Sequence, residues 1–202
     1  MVMNGFLFDP LYRFAQALFV ALGYRDPATR LHSERVRDLS LSLGKRCGLA
    51  QHELDVLRIG ASFHDIGKLG IGDHILMKTS RLDPTEREVM RRHSEIGADI
   101  MASIDLDGAQ QAALVIRHHH EHFDGRGYPD ALAGEAIPIC SRIISITDSY
   151  DAMAVRRSYH SGFGHADIMA ILDQETGRKH DPYLMRLFCE IVETSESRVA
   201  RH

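Results

Sequence analysis

Apolar stripes interrupted by histidine or aspartate constrain this chain more than any other feature. Val36 and Leu39 fall at helical spacing with His32, four and seven residues before them. His64 lies seven residues after Leu57 and three after Ala61, with Asp65 beside it. His93 lies four after Val89, His119 four after Val115, and Asp148 four after Ile144. Five predicted helices thus each turn an ionisable group toward their own apolar face. A lone inward histidine is ordinarily a core residue bonded to a carbonyl. Several together are costly to bury unless they share a ligand. Successive groups are separated by 26 to 32 residues, about one helix plus a connection. Gathering ligands from facing helices is a known way to hold metal in a bundle core.

The rest of the pattern is helical too. Leu11, Phe14, Leu18 and Leu22 form one stripe, and Ile168, Ile171 and Leu172, then Leu184, Leu187, Phe188 and Ile191, close the chain. Asp83, Pro84 and Glu86 read as N-cap, N1 and N3 of a capping box on a helix running through Val89, Ile96 and Ile100. CSRIISIT is rich in β-branched residues, but with no second strand to pair with it reads as helix. The expected fold is an all-α bundle. Residues 1–25 form an N-terminal helix, a cap or oligomer contact, ahead of one domain over 26–202.

Composition excludes several function classes. A net charge of −4 argues against a nucleic-acid polymer as partner. FAQALFVAL is too short to span a bilayer. Cys47, Cys140 and Cys189 form no paired framework, which favours a reducing, cytoplasmic setting. The 13 histidines are the outlier and direct attention to metal. Imidazole and carboxylate donors without thiolate favour Fe, Mn, Ni, Co or Zn over softer ions.

Adjacent pairs carry more information. Consecutive helical residues diverge by roughly 100°, so His64–Asp65 and His119–His120 are expected to serve two different ions, with Asp65 as the natural bridge. His118 is placed at the helix surface and His122 at the loop entrance. Two-metal sites of this kind hydrolyse phosphate esters, with a bridging hydroxide as nucleophile. Lys68, three residues after Asp65, is placed to neutralise a phosphate oxygen. Activity is expected to fall as pH drops through the histidine range.

Several blocks also resemble a known family. FHDIGKLGIGD looks like the signature of HD-domain metal phosphohydrolases. HSEIG, HHEHFDGRGYP and IPICSRIISITDSYDAM resemble the HD-GYP subfamily, and the likeness runs from about Asp26 to Phe188. It implies an HD-type helical bundle with a dinuclear metal site, and hydrolysis of cyclic di-GMP to pGpG, with GMP as an alternative end product. By position it implies His32, His64, Asp65, His93, His119, His120 and Asp148 as metal ligands, with Asp65 and Lys68 catalytic. Gly127, Tyr128, Pro129 and Arg157 join Lys68 as substrate contacts. Some relatives carry a glutamate four residues before the first histidine and hold a third ion; Ala28 stands there, so two are expected. Leu31, His122, Phe123, Ser158 and His160 also depart from the family pattern. The alternatives are the same chemistry on another cyclic dinucleotide such as 3′,3′-cGAMP, or a non-catalytic signalling module. A regulatory protein or a second copy of the chain is the expected macromolecular partner.

Overall fold

The computed structural model describes residues 7–155 and 164–193. Its helices are α1 (Asp9–Arg25), α2 (Pro27–Arg46), α3 (Gln51–Phe63), α4 (Asp73–Leu76), α5 (Pro84–Arg91), α6 (His93–Ala102), α7 (Ala109–His118), α8 (Ile139–Val155), α9 (His165–Glu175) and α10 (Pro182–Val192). Short 3₁₀ turns cover Ile66–Gly70 and Gly134–Ala136. Among the described residues the only bridges of β type are isolated, at Asp124–Ala133 and Thr176–His180. The all-α expectation holds, and the β-branched run at 140–147 lies inside α8.

Local signals set several boundaries. The Asp26 carboxylate accepts the Thr29 N–H at the start of α2, and Asp181 accepts those of Tyr183 and Leu184 at the start of α10. Asp83 and Glu86 form the reciprocal capping box, with Pro84 at N1. The helix it opens stops at Arg91, and a second begins at His93, where one continuous helix was expected. Arg92 is a turn between them, so His93 occupies a helix N-terminus.

Two apolar clusters flank the middle of the bundle. One joins Val36, Leu39 and Leu43 of α2 to Leu57, Ile143, Ile146, Tyr150 and the inner faces of α9 and α10. The other joins Phe8 and α1 to Ile59, Phe63, Ile66, Met101 and Ile116. The buried stripe of α1 is Leu11, Ala15, Phe19 and Leu22, while Phe14 is exposed. The nearly all-apolar FAQALFVAL offers two adjacent stripes at the same spacing, and packing chooses the second. The α1 helix is tied down at its end: Arg25 donates to the carbonyls of Lys68, Leu69 and Ile71 and pairs with Asp73. It thereby anchors the turn that carries Lys68.

Candidate metal centre

The centre forms where α2, α3, α7 and α8 pack on one another and α6 leans on α7. His32 comes from the first turns of α2 and Asp148 from mid-α8. His64 caps the C-terminus of α3, and Asp65 opens the 3₁₀ turn beyond it. His93 begins α6. His119 caps α7, and His120 sits in the turn that follows. All seven expected ligands therefore meet, and five stand at helix ends rather than along stripes.

Two groups of donors result. His32, His64 and Asp148 lie within reach of one ion, and His93, His119 and His120 within reach of another. His32 Nε2 is 2.9 Å from Asp148 Oδ1, and His64 Nε2 is 3.9 Å from the same oxygen. In the second group His93 Nε2 is 3.4 Å from His119 Nε2 and 3.2 Å from His120 Nε2. Asp65 stands between the groups, with Oδ2 3.6 Å from His64 Nε2 and Oδ1 3.6 Å from His93 Nε2. One carboxylate oxygen faces each group, as a bridging residue requires.

Backbone carbonyls fix the tautomers. His64 Nδ1 lies 2.9 Å from the Ala61 carbonyl, His93 Nδ1 2.8 Å from Met90, and His119 Nδ1 2.6 Å from Ile116. A carbonyl only accepts, so each Nδ1 donates and each neutral ring turns a bare Nε2 lone pair inward. His64 Nε2 is buried without a hydrogen-bond partner. The close approach of His93 and His119 sets two lone pairs against each other. Both features are unfavourable in an empty polar pocket and favourable around a cation. The donors thus fit divalent metal.

Electrostatics agree. Burial pushes His120 well below the ordinary imidazole value, His119 down to about 3, and His93 in the same direction, so these rings stay neutral. Burial opposes the charge of Asp65, but Lys68, His64 and His93 outweigh it and hold the carboxyl well below its usual range. Burial likewise opposes Asp148, and His32 and His64 reverse that effect. His32 behaves differently. Burial works against its charge, yet hydrogen bonds to Asp148 and Asp151 raise its pKa to about 10.

Around the centre, Lys68 Nζ sits 2.7 Å from Asp65 Oδ2. The Tyr128 ring lies 5.0 Å from that of His120. Gly127 lets the loop return against its own start: a Cβ there would meet His122 N at 2.2 Å and Glu121 Cα at 2.5 Å. Pro129 follows on the same half-buried stretch. Arg157 lies outside the described residues.

Two expectations are corrected, and one further residue comes to light. His119 and His120 do not diverge; their rings are 4.0 Å apart and both reach His93. The α7 helix ends at His118, so the 100° rule does not govern the pair. His118 is buried rather than on the surface, 2.9 Å from Asp130, which Arg117 grips with two bonds. Asp151 was missed. Its carboxylate lies 2.7 Å from His32 Nδ1 and accepts from Arg35 Nε and Nη2. The available signal was its place three residues beyond Asp148 on α8.

Known proteins resemble this chain in sequence and in fold. The family model described as HD domain matches residues 20–184. The cyclic di-GMP phosphodiesterase response regulator RpfG of Xanthomonas campestris is 36% identical over 162 residues, covering 80% of this chain and 43% of the relative. A 3′3′-cGAMP-specific phosphodiesterase 2 of Vibrio cholerae is 36% identical over 170 residues, covering 84% of this chain and 33% of the relative. This chain therefore spans less than half the length of either. Among solved structures, Bd1817, an HDG"Y"P protein from Bdellovibrio bacteriovorus, superposes with a TM-score of 0.65 at 19% identity, over 89% of this chain and 57% of that one. Among the described residues no helix is long and apolar enough to cross a membrane. With the ligand set, the HD and GYP blocks and these matches together, the chain belongs to the HD domain family, in its HD-GYP branch.

Proposed function

We propose that this chain is a metal-dependent phosphodiesterase that hydrolyses cyclic di-GMP to pGpG, with GMP as an alternative end product. The observation that carries the reading is the pair of donor groups joined by Asp65, with Lys68 alongside. His32, His64 and Asp148 would hold one ion, His93, His119 and His120 the other, and Asp65 both. Two divalent ions there, Fe or Mn before Ni, Co or Zn, supply Lewis-acid polarisation of the phosphodiester and charge neutralisation at the leaving oxygen. The chain's own residues do the rest. The carbonyls of Ala61, Met90 and Ile116 hold the imidazoles in one tautomer. Asp65 keeps the Lys68 ammonium charged, burial notwithstanding, where it can pair with a phosphate oxygen. Tyr128, with Gly127 and Pro129, forms a wall beside His120, and α1 caps the domain through Arg25. Arg157 completes the substrate contacts in this reading. The setting is cytoplasmic, in line with free Cys47, Cys140 and Cys189. A regulatory protein or a second copy of the chain is the partner we expect.

A second reading, the same chemistry on 3′,3′-cGAMP, is favoured by the relative of that specificity at the same 36% identity. A non-catalytic signalling module is disfavoured by the complete ligand set. Metal-loaded protein assayed against cyclic di-GMP, 3′,3′-cGAMP and cyclic di-AMP separates these, with products identified by chromatography. Fastest turnover of cyclic di-GMP supports the first reading. Preference for the mixed dinucleotide supports the second, and no turnover of any supports the third.

A further inference from the structure

We propose that Arg91 binds the second phosphate of the cyclic dinucleotide, the one not held at the metal centre. The inference rests on the substrate class argued above. Arg91 is the last residue of α5, two residues before the ligand His93. Its guanidinium stands 5.1 Å from the centroid of the Tyr128 ring. The same ring lies 5.0 Å from His120. One aromatic side chain thus separates a metal ligand from a cation, so Arg91 sits one ring beyond the place where bond cleavage would occur.

The substrate's shape calls for such a residue. A cyclic dinucleotide carries two phosphodiesters on opposite sides of one ring, each with a negative charge. When one is at the metals, the other must lie outside the ligand cluster and still be neutralised. Three other described cations near the centre are committed: Lys68 to Asp65, Arg35 to a buried Asp151 by two bonds, and Arg117 to Asp130 by two bonds; Arg157 lies outside the described residues. Arg91 pairs with Glu88 at 2.7 Å, but the two side chains are 51% and 69% exposed. An ion pair that exposed holds its partners weakly. The guanidinium exchanges it readily for the stronger, bidentate contact that a phosphate offers. Stacking on Tyr128 keeps the planar group oriented meanwhile.

The test compares Arg91→Ala and Arg91→Lys with the parent protein, each carrying its full metal complement by elemental analysis. Two substrates are used, cyclic di-GMP and bis(p-nitrophenyl) phosphate, a diester with one phosphate only. Losing a charge-assisted contact predicts that Arg91→Ala raises KM for the cyclic dinucleotide about tenfold or more, with kcat within about twofold. Turnover of the small diester stays unchanged. Arg91→Lys, which keeps the charge without the fork, falls between the two and weakens with added salt. An unchanged KM in Arg91→Ala overturns the proposal, and so does an equal loss on both substrates, which marks a structural role beside His93. If the parent cleaves the small diester and no cyclic dinucleotide, the substrate reading fails and this proposal falls with it. If the parent cleaves cyclic di-GMP and the variants match it, this proposal alone falls.

Discussion

His32 Nδ1 lies 2.7 Å from Asp151 Oδ2, whereas His64, His93 and His119 turn their Nδ1 atoms to backbone carbonyls. A carboxylate behind an imidazole makes the far nitrogen more basic and fixes the ring more firmly than a carbonyl does. The two donor groups are therefore unequal: one has Asp148 and an Asp151-backed His32, the other three imidazoles. Replacing Asp151 with Asn should weaken metal binding in the His32 group by about 10- to 100-fold and spare the His93 group. Titration of chelator-treated protein with Mn²⁺ reads this directly, as loss of the tighter of two binding steps. Two unaltered steps would show that Asp151 does not support the ligand.

The same contacts set the pH response. With a pKa of about 10, His32 is protonated at neutral pH when the site holds no metal, while His93, His119 and His120 are not. Metal must displace the His32 proton from Nε2. About one proton should be released per chain on loading at pH 7 to 9, and affinity should rise roughly tenfold per pH unit across that window. Calorimetry in buffers of differing ionisation enthalpy counts the proton. Sequence alone suggested a loss of binding through the ordinary histidine range; the geometry moves the sensitive group upward.

Metal-free stability should follow the same signs. His32 has a folded pKa raised above the unfolded 6.5, so its contribution is complete below 6.5 and is lost as pH rises through about 10. His119 has a folded pKa depressed to about 3, so the unfolded chain binds the extra proton between 3 and 6.5, and stability falls as pH drops through that window. The melting temperature of chelated protein should therefore decline on both sides of about pH 6.5. A flat profile would mean that neither group is held as described.

Much of the centre was legible because it depends on residue type and period. The inward positions of His32 and Asp148 follow from the stripes of α2 and α8, and the spacing also marked His64, His93 and His119, although these stand at helix ends. What escaped depends on where helices end. The break at Arg92 and the stop at His118 are short-range events decided by packing, and they determine how His93, His119 and His120 converge. Partners brought together across the chain escaped as well: Asp151 with His32, and His118 with Asp130. Asp151 and His32 are 119 residues apart, and the one local signal was the place of Asp151 one helical turn beyond Asp148.

In the proposed function Lys68 acts on substrate rather than building the pocket. Changing it to Ala should lower kcat about 10²- to 10³-fold, the scale of removing one charged stabiliser of the reacting phosphate, while both ions are retained. Metal analysis alongside initial rates tests this. If ions are lost with activity, the Lys68–Asp65 contact is chiefly structural.

Gly67 brings the 3₁₀ turn against α6. A Cβ there would fall 1.9 Å from the His93 carbonyl oxygen and 2.5 Å from the Gly97 nitrogen, both backbone atoms that cannot yield. Gly67→Ala should cost about 3 kcal/mol or more of folding stability, at the upper end of overpacking effects. Urea unfolding of metal-free protein measures it, and a loss under about 1 kcal/mol would show that the turn is not so tightly seated.

We propose that seven residues hold two ions joined through Asp65. The most direct test is elemental analysis of protein purified anaerobically, for the parent, His32→Ala and His93→Ala, with hydrolysis of cyclic di-GMP followed on the same samples. Two ions per chain are expected in the parent, about one in each variant, and pGpG formation in the parent only. One ion in the parent, or full hydrolysis by a variant holding a single ion, would contradict the proposal.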